Sequence, residues 1–333
     1  MKRILIVTDA WHPQVNGVVR TMQNVIDRLR ARDIDVRTIT PDMFSTVPLP
    51  LYPEVQLSLF SACQIRQIMD EFEPDAIHIS TEGPLGWAAR KLCVKRGLAF
   101  TTSYHTKFPE YMSAMLRIPT SWGYAIIRRF HAPSAAVMVA TPTLESELVT
   151  HGFENVVSWT RGVDTDLLTP GQKPALDLPK PVSVYVGRVS VEKNIEAFLN
   201  LDIPGTKLVV GGGPQLEQLK RKYPEVVFTG PKFGEDLAAH YTSGDVFVFP
   251  SLTDTFGLVM LEAMASGLPV AAFPVTGPFD VLGGAKAAFM DKNLSKAVDQ
   301  AFQASAKQAR RHAEKYSWNA CTDQFLANLV HTS

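Results

Sequence analysis

The chain has 333 residues, a length typical of two domains with ample core, and 46% of them are hydrophobic, as in soluble globular proteins. Its 33 Lys and Arg residues balance 33 Asp and Glu residues, so the charge does not indicate a nucleic-acid partner. The cysteines, Cys63, Cys93 and Cys321, lie far apart and form no CxxC, which indicates neither a disulfide framework nor a zinc site.

The N-terminal stretch MKRILIVTDAW has basic residues and then only a short apolar run before Asp9. It therefore predicts a first strand and not a signal peptide. No apolar run approaches the roughly 18 residues of a membrane span. From these features we expect a cytoplasmic protein.

Strand-like and helix-like segments alternate through the first half of the chain. Such alternation is typical of α/β proteins with a parallel sheet covered by helices on both faces. The predicted segments are Arg3–Thr8, Gly17–Arg30, Val36–Thr40, Cys63–Phe72, Ala76–Ser80, Gly86–Arg96 and Phe100–Tyr104. Ligands of such sheets bind at the carboxyl ends of the strands, so the loops that follow them form the candidate site.

Three of these loops carry candidate residues. Asn16 and Gly17 follow the first strand, and Gly17 opens a helix whose first turn can approach a phosphate. Glu82 follows a later strand. We take Asn16 and Glu82 as candidates for the side of the site that binds a second substrate, the acceptor. His105, in SYHTKFPEY, follows the strand after that. The residues alone leave a structural role open for each: Gly17 could be a plain helix start without a ligand, and His105 could make a structural hydrogen bond.

The segment Tyr111–Phe130 mixes large apolar residues with Arg117, Arg128 and Arg129. Apolar side chains beside cations suit the surface of an anionic membrane. A packed pair of core helices is the alternative. The segment is the candidate membrane contact of this chain.

A domain boundary is predicted near the middle of the chain. Residues Thr169–Pro181 contain four prolines and a glycine, a composition typical of a linker. We therefore expect a first domain over residues 1–168, a second over 169–315 and a terminal helix over 316–333. Just before the linker, Asp164 and Asp166 form an Asp-x-Asp, a pattern that elsewhere binds a metal together with a nucleotide sugar.

The strand–helix alternation restarts at Val182–Val186, which is followed by Arg188 and Lys193. Two cations placed after a strand and at the start of a helix can bind a diphosphate, Arg as a planar fork and Lys as a point charge. The run GGGPQL that begins at residue 211 has Leu216 where a dinucleotide fingerprint needs its third glycine. This disfavours an oxidoreductase.

The most informative stretch is Ser251–Phe273. A strand-like run, Asp245–Pro250, leads into a loop containing Gly257 and then into a helix-forming run. The free amides of the first helical turn and the helix dipole favour a phosphate there. Asp254 and Glu262 bracket this turn, and carboxylates can accept hydrogen bonds from sugar hydroxyls.

The Asp254–Glu262 spacing resembles the Glu-x7-Glu segment of retaining, nucleotide-sugar-dependent glycosyltransferases of family 4, which have the GT-B fold. The runs TEGPLG, SYHTKFPEY and RGVDTDLLTP are similar to stretches of the same family. GPFD at Gly277–Asp280 resembles its GDP-mannose-dependent α-mannosyltransferase and glycolipid-synthesising branch. The chain departs from the family pattern at Asp254, where Glu is usual, and at Asn16, where a Gly-Gly pair is usual.

The resemblance implies two Rossmann-like domains whose parallel sheets face each other across a cleft, with the terminal segment Tyr316–Val330 packing back on the first domain. The nucleotide-diphosphate sugar is expected to bind mainly to the second domain. The donor-binding residues implied are Gly17, Arg188, Lys193, Phe256, Gly257, Leu258, Val259 and Glu262. The residues implied in catalysis are His105, Arg188, Lys193 and Asp254.

Each of these residues has an implied role. Glu262 holds the ribose of the donor, Asp254 binds hydroxyls of the transferred sugar, and Arg188 and Lys193 stabilise the leaving diphosphate. His105 contacts the transferred sugar near the reacting carbon. No metal or other cofactor is implied, so the Asp-x-Asp is expected only to close the first domain.

The implied reaction transfers a hexose with retention, and the leaving phosphate takes the proton of the acceptor. The donor is expected to be GDP-mannose or a UDP-sugar. The segment Tyr111–Phe130, SYHTKFPEY and GPFD favour a membrane lipid, such as diacylglycerol or a phosphoinositide, as the acceptor. The protein would then be peripheral on the inner face of the cytoplasmic membrane.

Several alternatives remain at this point. One is another GT-B enzyme, a nucleotide-sugar epimerase or a phosphorylase, and another is a glycosyltransferase that acts on a soluble or polysaccharide acceptor. An oxidoreductase would require nicotinamide binding. A non-catalytic sugar-nucleotide-binding or membrane-binding module would bind without turnover.

Overall fold

The computed structural model describes residues 1–14, 16–49, 52–59, 61–105, 109, 119–254 and 256–332. The chain divides into two compact units. The N-terminal unit consists of Met1–Arg161 and Trp318–Ser333, and the C-terminal unit consists of Gly162–Ser317. Each is built on a six-stranded parallel sheet, so the predicted pair of Rossmann-like α/β halves is confirmed.

The secondary structure follows the predicted alternation. The strands are β1 (Arg3–Val7), β2 (Asp35–Ile39), β3 (Thr46–Leu49), β4 (Tyr52–Ser58), β5 (Ala76–Ile79), β6 (Thr101–Tyr104), β7 (Ala136–Val139), β8 (Val156–Ser158), β9 (Val182–Val186), β10 (Thr206–Val210), β11 (Val227–Gly230), β12 (Val246–Phe249), β13 (Val270–Ala272) and β14 (Ala288–Met290). The helices are α1 (Gly17–Arg30), α2 (Ala62–Phe72), α3 (Pro84–Arg96), α4 (Thr120–His131), α5 (Pro142–Thr150), α6 (Ile195–Leu199), α7 (Leu216–Lys222), α8 (Gly234–Tyr241), α9 (Leu258–Ala265), α10 (Thr276–Leu282), α11 (Leu294–Ala301), α12 (Ala306–Ala313) and α13 (Trp318–Asn328).

The strand order of each sheet creates one crevice at its carboxyl edge. The N-terminal sheet has the order β2-β1-β5-β6-β7-β8, and the C-terminal sheet has the order β11-β10-β9-β12-β13-β14. The order reverses between β1 and β5 and between β9 and β12. Loops that leave neighbouring strands in opposite directions open a crevice at such a switch point, where ligands of α/β sheets bind. Strands β3 and β4 form a separate antiparallel pair, which the sequence analysis did not predict.

The core of the N-terminal unit includes the end of the chain. Strand β1 is fully buried from Ile4 to Val7, and α1 turns one apolar stripe toward it. The terminal helix α13 buries Trp318, Cys321 and Phe325 in the same cluster. The predicted return of the terminal segment to the N-terminal unit is therefore confirmed.

The core of the C-terminal unit surrounds β9 and β12. Both strands are buried along their whole length, as expected for central strands of a parallel sheet. The proline-rich stretch Thr169–Pro181 belongs to this unit, because the Ala175 amide donates to the Ala239 carbonyl and the Leu176 amide donates to Ser243 Oγ. The contacts thus divide at Arg161/Gly162 and at Ser317/Trp318, whereas the sequence analysis placed the boundaries at 168/169 and 315/316.

Among the described residues, no helix combines sufficient length with sufficient apolar character to cross a bilayer.

Candidate active site

The loops that follow β9 and β12 are joined to each other at the C-terminal switch point. Asn194 Nδ2 donates to the carbonyl of Pro250 at 3.0 Å, and Thr253 Oγ1 donates to the carbonyl of Glu192 at 3.4 Å. Asn194 has a φ of 51°, a left-handed conformation that Asn adopts more readily than most residues. These bonds set the position of Lys193, which lies between Glu192 and Asn194 in the chain.

Lys193 and Asp254 form an ion pair across these two loops. Lys193 Nζ lies 2.5 Å from Asp254 Oδ1, and the side chains are 28% and 19% exposed. The other carboxylate oxygen, Oδ2, is buried and has no hydrogen-bond partner among the described residues. The structure therefore brings together the residue predicted to bind the diphosphate and the residue predicted to bind the sugar, and one carboxylate oxygen is left for a further donor.

Arg188 is exposed, and its backbone is held by a hydrogen bond from a buried side chain. Its carbonyl accepts the hydroxyl of buried Tyr185 at 2.7 Å. Burial raises the pKa of Tyr185, and the nearby Asp254 and Glu192 raise it further, so this hydroxyl stays a donor. Gly187 precedes Arg188 with a φ of 154°, and a Cβ there would lie 2.9 Å from the Tyr185 hydroxyl oxygen.

Helix α9 begins beside the Lys193–Asp254 pair without a side-chain cap. Gly257 is the N-cap residue, with a φ of 77° that favours glycine, and none of the described side chains accepts a hydrogen bond from the first turn. The first turn contains no acidic residue. The amides of Leu258 and Val259 thus start a helix at the predicted place, and the dipole of α9 favours an anion in front of them.

The loop before α9 is packed tightly from the side of α10. A Cβ on Gly277 would lie 2.4 Å from the carbonyl oxygen of Asp254. The ring of Phe256 is buried, with its edge against Tyr316 at 6.4 Å between ring centroids. Of the predicted donor-binding residues, Phe256 therefore has only its backbone to offer a ligand.

Glu262 lies inside α9 and is held by a residue that the sequence analysis missed. Its side chain is 3% exposed, and Oε2 accepts the hydroxyl of Tyr241 at 2.8 Å. Tyr241 ends α8 and is fully buried. Two buried polar groups bonded to each other hold the carboxylate in one orientation. No local sequence pattern connects these two residues.

The glycine run that follows β10 has a packing role. A Cβ on Gly211 would lie 1.8 Å from the carbonyl oxygen of Gly187, and one on Gly213 would lie 2.3 Å from that of Val189. The loops after β9 and β10 are therefore in backbone contact, which only glycine permits.

In the N-terminal unit, Asp9 fills the start of α3. Its carboxylate accepts the amides of Leu85 at 2.8 Å and Gly86 at 3.2 Å, and the hydroxyl of Thr81 at 2.9 Å. Burial raises the pKa of Asp9, while the hydrogen bonds from Leu85, Gly86 and Thr81 act in the opposite direction. The chain's own carboxylate thus occupies the position that an anion would take at this helix N-terminus.

Asn16 does the same for α1. Its Oδ1 accepts the amides of Val18 and Val19, each at 3.0 Å, and Gly17 begins the helix at the surface. Both helix starts beside the N-terminal switch point are therefore occupied by side chains of the chain itself. In contrast, no side chain in the described part of the chain caps the first turn of α9.

His105 is held by hydrogen bonds at both ring nitrogens. Nδ1 lies 3.1 Å from Nη2 of Arg161, and Nε2 lies 3.1 Å from Oγ of Ser80. The ring edge also meets Trp159, with 5.9 Å between centroids. Burial, and then the charge of Arg161, lower the pKa of His105 well below its ordinary value, so the ring is neutral. Residues 106–108, 110 and 111 of SYHTKFPEY lie outside the described residues.

Glu82 is bonded within the N-terminal unit. Its Oε1 lies 3.1 Å from Nε2 of His131, which is fully buried and whose Nδ1 lies 2.8 Å from Oγ1 of Thr102. The Glu82 side chain is 18% exposed. His131 is another residue that sequence reasoning missed, since it lies on α4, distant in the chain from Glu82.

The Asp-x-Asp sequence forms a turn. Asp164 Oδ1 accepts the amides of Asp166 at 3.1 Å and Leu167 at 3.0 Å. Within the described part of the chain, no three His, Cys, Asp or Glu residues are grouped so that they could hold a metal ion.

Comparison with known proteins supports one family for both units. The family models described as Glycosyltransferase Family 4 and as Glycosyl transferases group 1 match residues 15–167 and residues 180–306. The sulfoquinovosyl transferase SQD2 of Arabidopsis thaliana is 31% identical, over 96% of this chain and 71% of that protein. A GDP-mannose-dependent alpha-mannosyltransferase of Mycobacterium tuberculosis is 28% identical, over 98% and 96%. The alpha-monoglucosyldiacylglycerol synthase of Streptococcus pneumoniae is 26% identical, over 81% and 70%.

Solved structures show the same fold at lower identity. Sucrose-phosphate synthase from Thermosynechococcus elongatus superposes with a TM-score of 0.80 at 21% identity, over 98% of each chain. Anabaena HepE, in complex with UDP and glucose, superposes with a TM-score of 0.73 at 15% identity, also over 98% of each chain. These likenesses identify the fold of this chain as GT-B.

Proposed function

The chain belongs to glycosyltransferase family 4, and on that basis we propose that it is a retaining hexosyltransferase with a membrane-lipid acceptor. As a glycosyltransferase it uses a nucleotide sugar, and the proposed donor is GDP-mannose or a UDP-sugar. The relatives named for GDP-mannose-dependent transfer and for synthesis of a glucosyldiacylglycerol support this donor and acceptor class. Diacylglycerol or a phosphoinositide is the proposed acceptor.

The observation that carries the proposal is the Lys193–Asp254 pair at the uncapped start of α9. A diphosphate needs cations and amide donors, and the transferred sugar needs a carboxylate that accepts its hydroxyls. Lys193, Arg188 and the first amides of α9 supply the former, and the carboxylate of Asp254, whose side chain is 19% exposed, supplies the latter. In this proposal, these groups take the place of a metal ion.

The proposed reaction breaks the bond between the anomeric carbon and the leaving phosphate oxygen and forms the bond to the acceptor oxygen on the same face. The acceptor proton passes to the leaving phosphate. Lys193 and Arg188 stabilise the negative charge that develops on the diphosphate, the electrostatic contribution that is usually largest in such catalysis. Glu262, held by Tyr241, binds the ribose, and His105 contacts the transferred sugar.

The donor is tested first, by thermal unfolding with UDP, GDP and ADP and with their common sugar conjugates. A ligand that binds the folded state raises the unfolding temperature according to its affinity. We expect a shift with one nucleotide only. That donor, labelled in its sugar, is then incubated with diacylglycerol or phosphoinositide vesicles, with and without EDTA.

The expected result is labelled lipid with the anomeric configuration of the donor, in equal yield with EDTA. Transfer to a soluble glycan, but not to either lipid, would overturn the lipid acceptor. Inversion at the anomeric carbon would overturn the retaining mechanism, and loss of activity with EDTA would overturn metal independence. Interconversion of free sugar nucleotides would favour an epimerase.

A lipid acceptor requires contact with a membrane, and α4 offers a surface for it. Residues 111–118 of the candidate segment lie outside the described residues, but Trp122 and Ile126 on α4 are 65% and 49% exposed. Arg129 is exposed at the same helical spacing, so all three lie on one face. An exposed Trp and Ile next to Arg suit the headgroup boundary of an anionic bilayer.

The membrane contact is tested by sedimentation with vesicles that contain phosphatidylglycerol. We expect Trp122→Ser with Ile126→Ser to reduce the bound fraction several-fold. Val94→Ser is the matched control, because Val94 on α3 is also 49% exposed and carries no such prediction. Equal binding of the double variant and the control would overturn the role of α4.

A further inference from the structure

Arg161 is a buried arginine whose charge is not balanced by an acid. Arg161 is only 5% exposed, and no carboxylate among the described residues forms an ion pair with it. Nη1 donates to the carbonyls of Trp159 at 2.6 Å and Thr160 at 3.2 Å, and the guanidinium carbon lies 4.3 Å from the centroid of the Trp159 ring. Burying a charge without a counter-ion costs free energy of folding. The further contact that the guanidinium makes through Nη2 therefore indicates what this arginine does.

That contact is to the ring of His105. Arg161 Nη2 lies 3.1 Å from His105 Nδ1. A guanidinium has donors but no acceptor, so Nδ1 must accept and cannot carry a proton. The proton of the neutral ring is therefore on Nε2, which lies 3.1 Å from Ser80 Oγ. The tautomer follows from the chemistry of the partner.

Among the described residues, the titratable groups that lower the pKa of His105 are Arg161, His78 and His131, and each acts against protonation of its ring. Burial is the largest cause of its lowered pKa, and Arg161, His78 on β5 and His131 on α4 lower it further. Burial lowers the pKa of Arg161 to about 10, so this side chain stays charged at neutral pH. Burial also raises the pKa of the nearby Cys321 thiol on α13 to about 11, so it stays uncharged.

One carboxylate reaches this cluster, and it does not contact His105. Glu82 bonds to His131, whose other ring nitrogen meets Thr102. The described surroundings of His105 therefore contain a fixed cation at Nδ1 and no anion in direct contact with the ring.

The position of Arg161 is set by the terminal helix. Trp159 Nε1 donates to the carbonyl of Cys321 at 3.0 Å, and the Trp159 ring packs on Phe325 with 5.1 Å between centroids. The ring on which the guanidinium lies is thus held by α13. Arg161 is also the last residue of the N-terminal unit before the chain enters the C-terminal unit.

We infer that Arg161 is a positioning residue for sugar transfer, which holds the proton of the His105 ring on Nε2 and adds to the effect of burial in keeping the ring neutral. His105 then keeps its Nε2–H on Ser80 Oγ at all physiological pH values, contacts the sugar as an uncharged ring and does not act as a base. The inference rests on the proposed function for the contact between His105 and the transferred sugar. The state of the His105 ring, however, can be measured without activity.

The first test is NMR of the full chain labelled with ¹⁵N-histidine, with the His105 signals assigned from their loss in His105→Gln. We expect wild-type His105 to show protonated Nε2 and unprotonated Nδ1 throughout pH 5.5 to 8.5. In Arg161→Met we expect both neutral tautomers to be populated and the ring pKa to rise toward the ordinary histidine value of about 6.5, because the charge of Arg161 is lost while the burial remains. A wild-type ring that carries its proton on Nδ1, or that titrates in this range, would overturn the inference.

The second test is the pH profile of kcat/KM for the donor. Because a protonated His105 would oppose the positive charge that develops on the sugar, we expect Arg161→Met to lose about tenfold per pH unit below the His105 pKa. Arg161→Lys, which keeps a cationic donor, should restore most of the flat profile. If Arg161→Met does not fold, Arg161→Lys and the wild-type spectrum still decide the assignment.

Arg90 provides a matched control. It too donates to backbone carbonyls, those of Phe130 and Arg129, and lies over a Trp ring, that of Trp87. Arg90→Met should lower stability without changing the pH profile. An Arg161→Met enzyme whose His105 titrates while its profile stays flat would overturn the contact of His105 with the sugar, and with it the positioning role, but not the glycosyltransferase assignment.

Discussion

The ammonium group of Lys193 lies 2.5 Å from the carboxylate of Asp254, across the loops that follow β9 and β12. The same two strands have a second pair at their other ends, where Lys180 Nζ lies 3.0 Å from Asp245 Oδ1 and the Asp245 carboxylate also accepts the Val182 amide. Two lysine–aspartate pairs thus flank one pair of strands, and only the pair at the carboxyl edge lies where ligands bind.

Lys193→Ala should lower kcat by about 100-fold to 1000-fold, because a donor aimed at developing charge is lost. The fold should stay intact, since the side chain is partly exposed. The measurement is steady-state transfer, with circular dichroism as the check on folding. Lys180→Ala is the control and should keep near-normal turnover. If Lys193→Ala also does so, Lys193 has no role in stabilising the leaving group.

Asp254→Asn should separate binding of the nucleoside diphosphate from binding of the sugar. The change frees the ammonium of Lys193 for phosphate, so affinity for the nucleoside diphosphate should be retained or should rise. It also removes a carboxylate acceptor, so affinity for the sugar nucleotide should fall about tenfold or more relative to the diphosphate. Isothermal titration with both ligands measures this ratio. A parallel loss for both ligands would contradict the role given to Asp254.

Tyr241→Phe should weaken both the fold and the donor site. The change removes the hydroxyl that donates to Oε2 of Glu262 at 2.8 Å. Removing a hydrogen-bond donor from a buried carboxylate lowers the free energy of unfolding by about 1–3 kcal/mol. We expect this loss in urea unfolding, together with a raised KM for the donor. Tyr223→Phe, which removes a hydroxyl bonded to Asn200 at 2.7 Å, should lower stability without raising KM. Equal KM values for the two variants would count against Glu262 as a donor ligand.

The N-terminal unit should lose stability in acid because of its buried histidines. Burial lowers the pKa of His78 to about 3, and its ring nitrogens lie 2.9 Å from Thr101 Oγ1 and Ser103 Oγ. The unfolded state takes up the proton near pH 6.5 and the folded state only near pH 3. The stabilisation is therefore present above pH 6.5 and is lost as the pH falls toward 3, by up to about 1.4 kcal/mol per pH unit.

Urea unfolding between pH 5 and pH 7 measures this dependence. His78→Gln should reduce the slope by the contribution of one proton, while His105, whose pKa burial also lowers, accounts for further slope in the same unit. A slope that is the same with and without His78 would show that this ring is not the buried neutral group described.

Local patterns were enough to predict most of the secondary structure. Helix α1 spans Gly17–Arg30 and strand β9 spans Val182–Val186, as the apolar spacing indicated, because each pattern lies within one element. The start of α9 at Leu258 followed from Gly257 and the helix formers after it. The β3–β4 pair was missed, since its strands pair with each other and give no alternation with helices.

Several interactions of the candidate site could not be predicted in this way. Asp9 accepts amides from residues about 76 positions away in the chain, His105 meets Arg161 at a separation of 56, and Tyr241 meets Glu262 at a separation of 21. Such partners leave no periodicity, and each residue type has many other uses. Candidate site residues on individual loops could therefore be predicted from the sequence, whereas the distant side chains that bond to them could not.

The sequence by itself determined the α/β alternation, the helix starts and the residues at the strand ends, because these depend on neighbours within a few positions. Only the tertiary structure decided which of those residues meet. The order of strands β9 and β12 brings Lys193 to Asp254, and the return of α13 holds Trp159 beneath Arg161. It also decided that Asp9 and Asn16 fill two helix starts while the start of α9 has no side-chain cap, since a cap depends on which side chain the fold brings within hydrogen-bond distance.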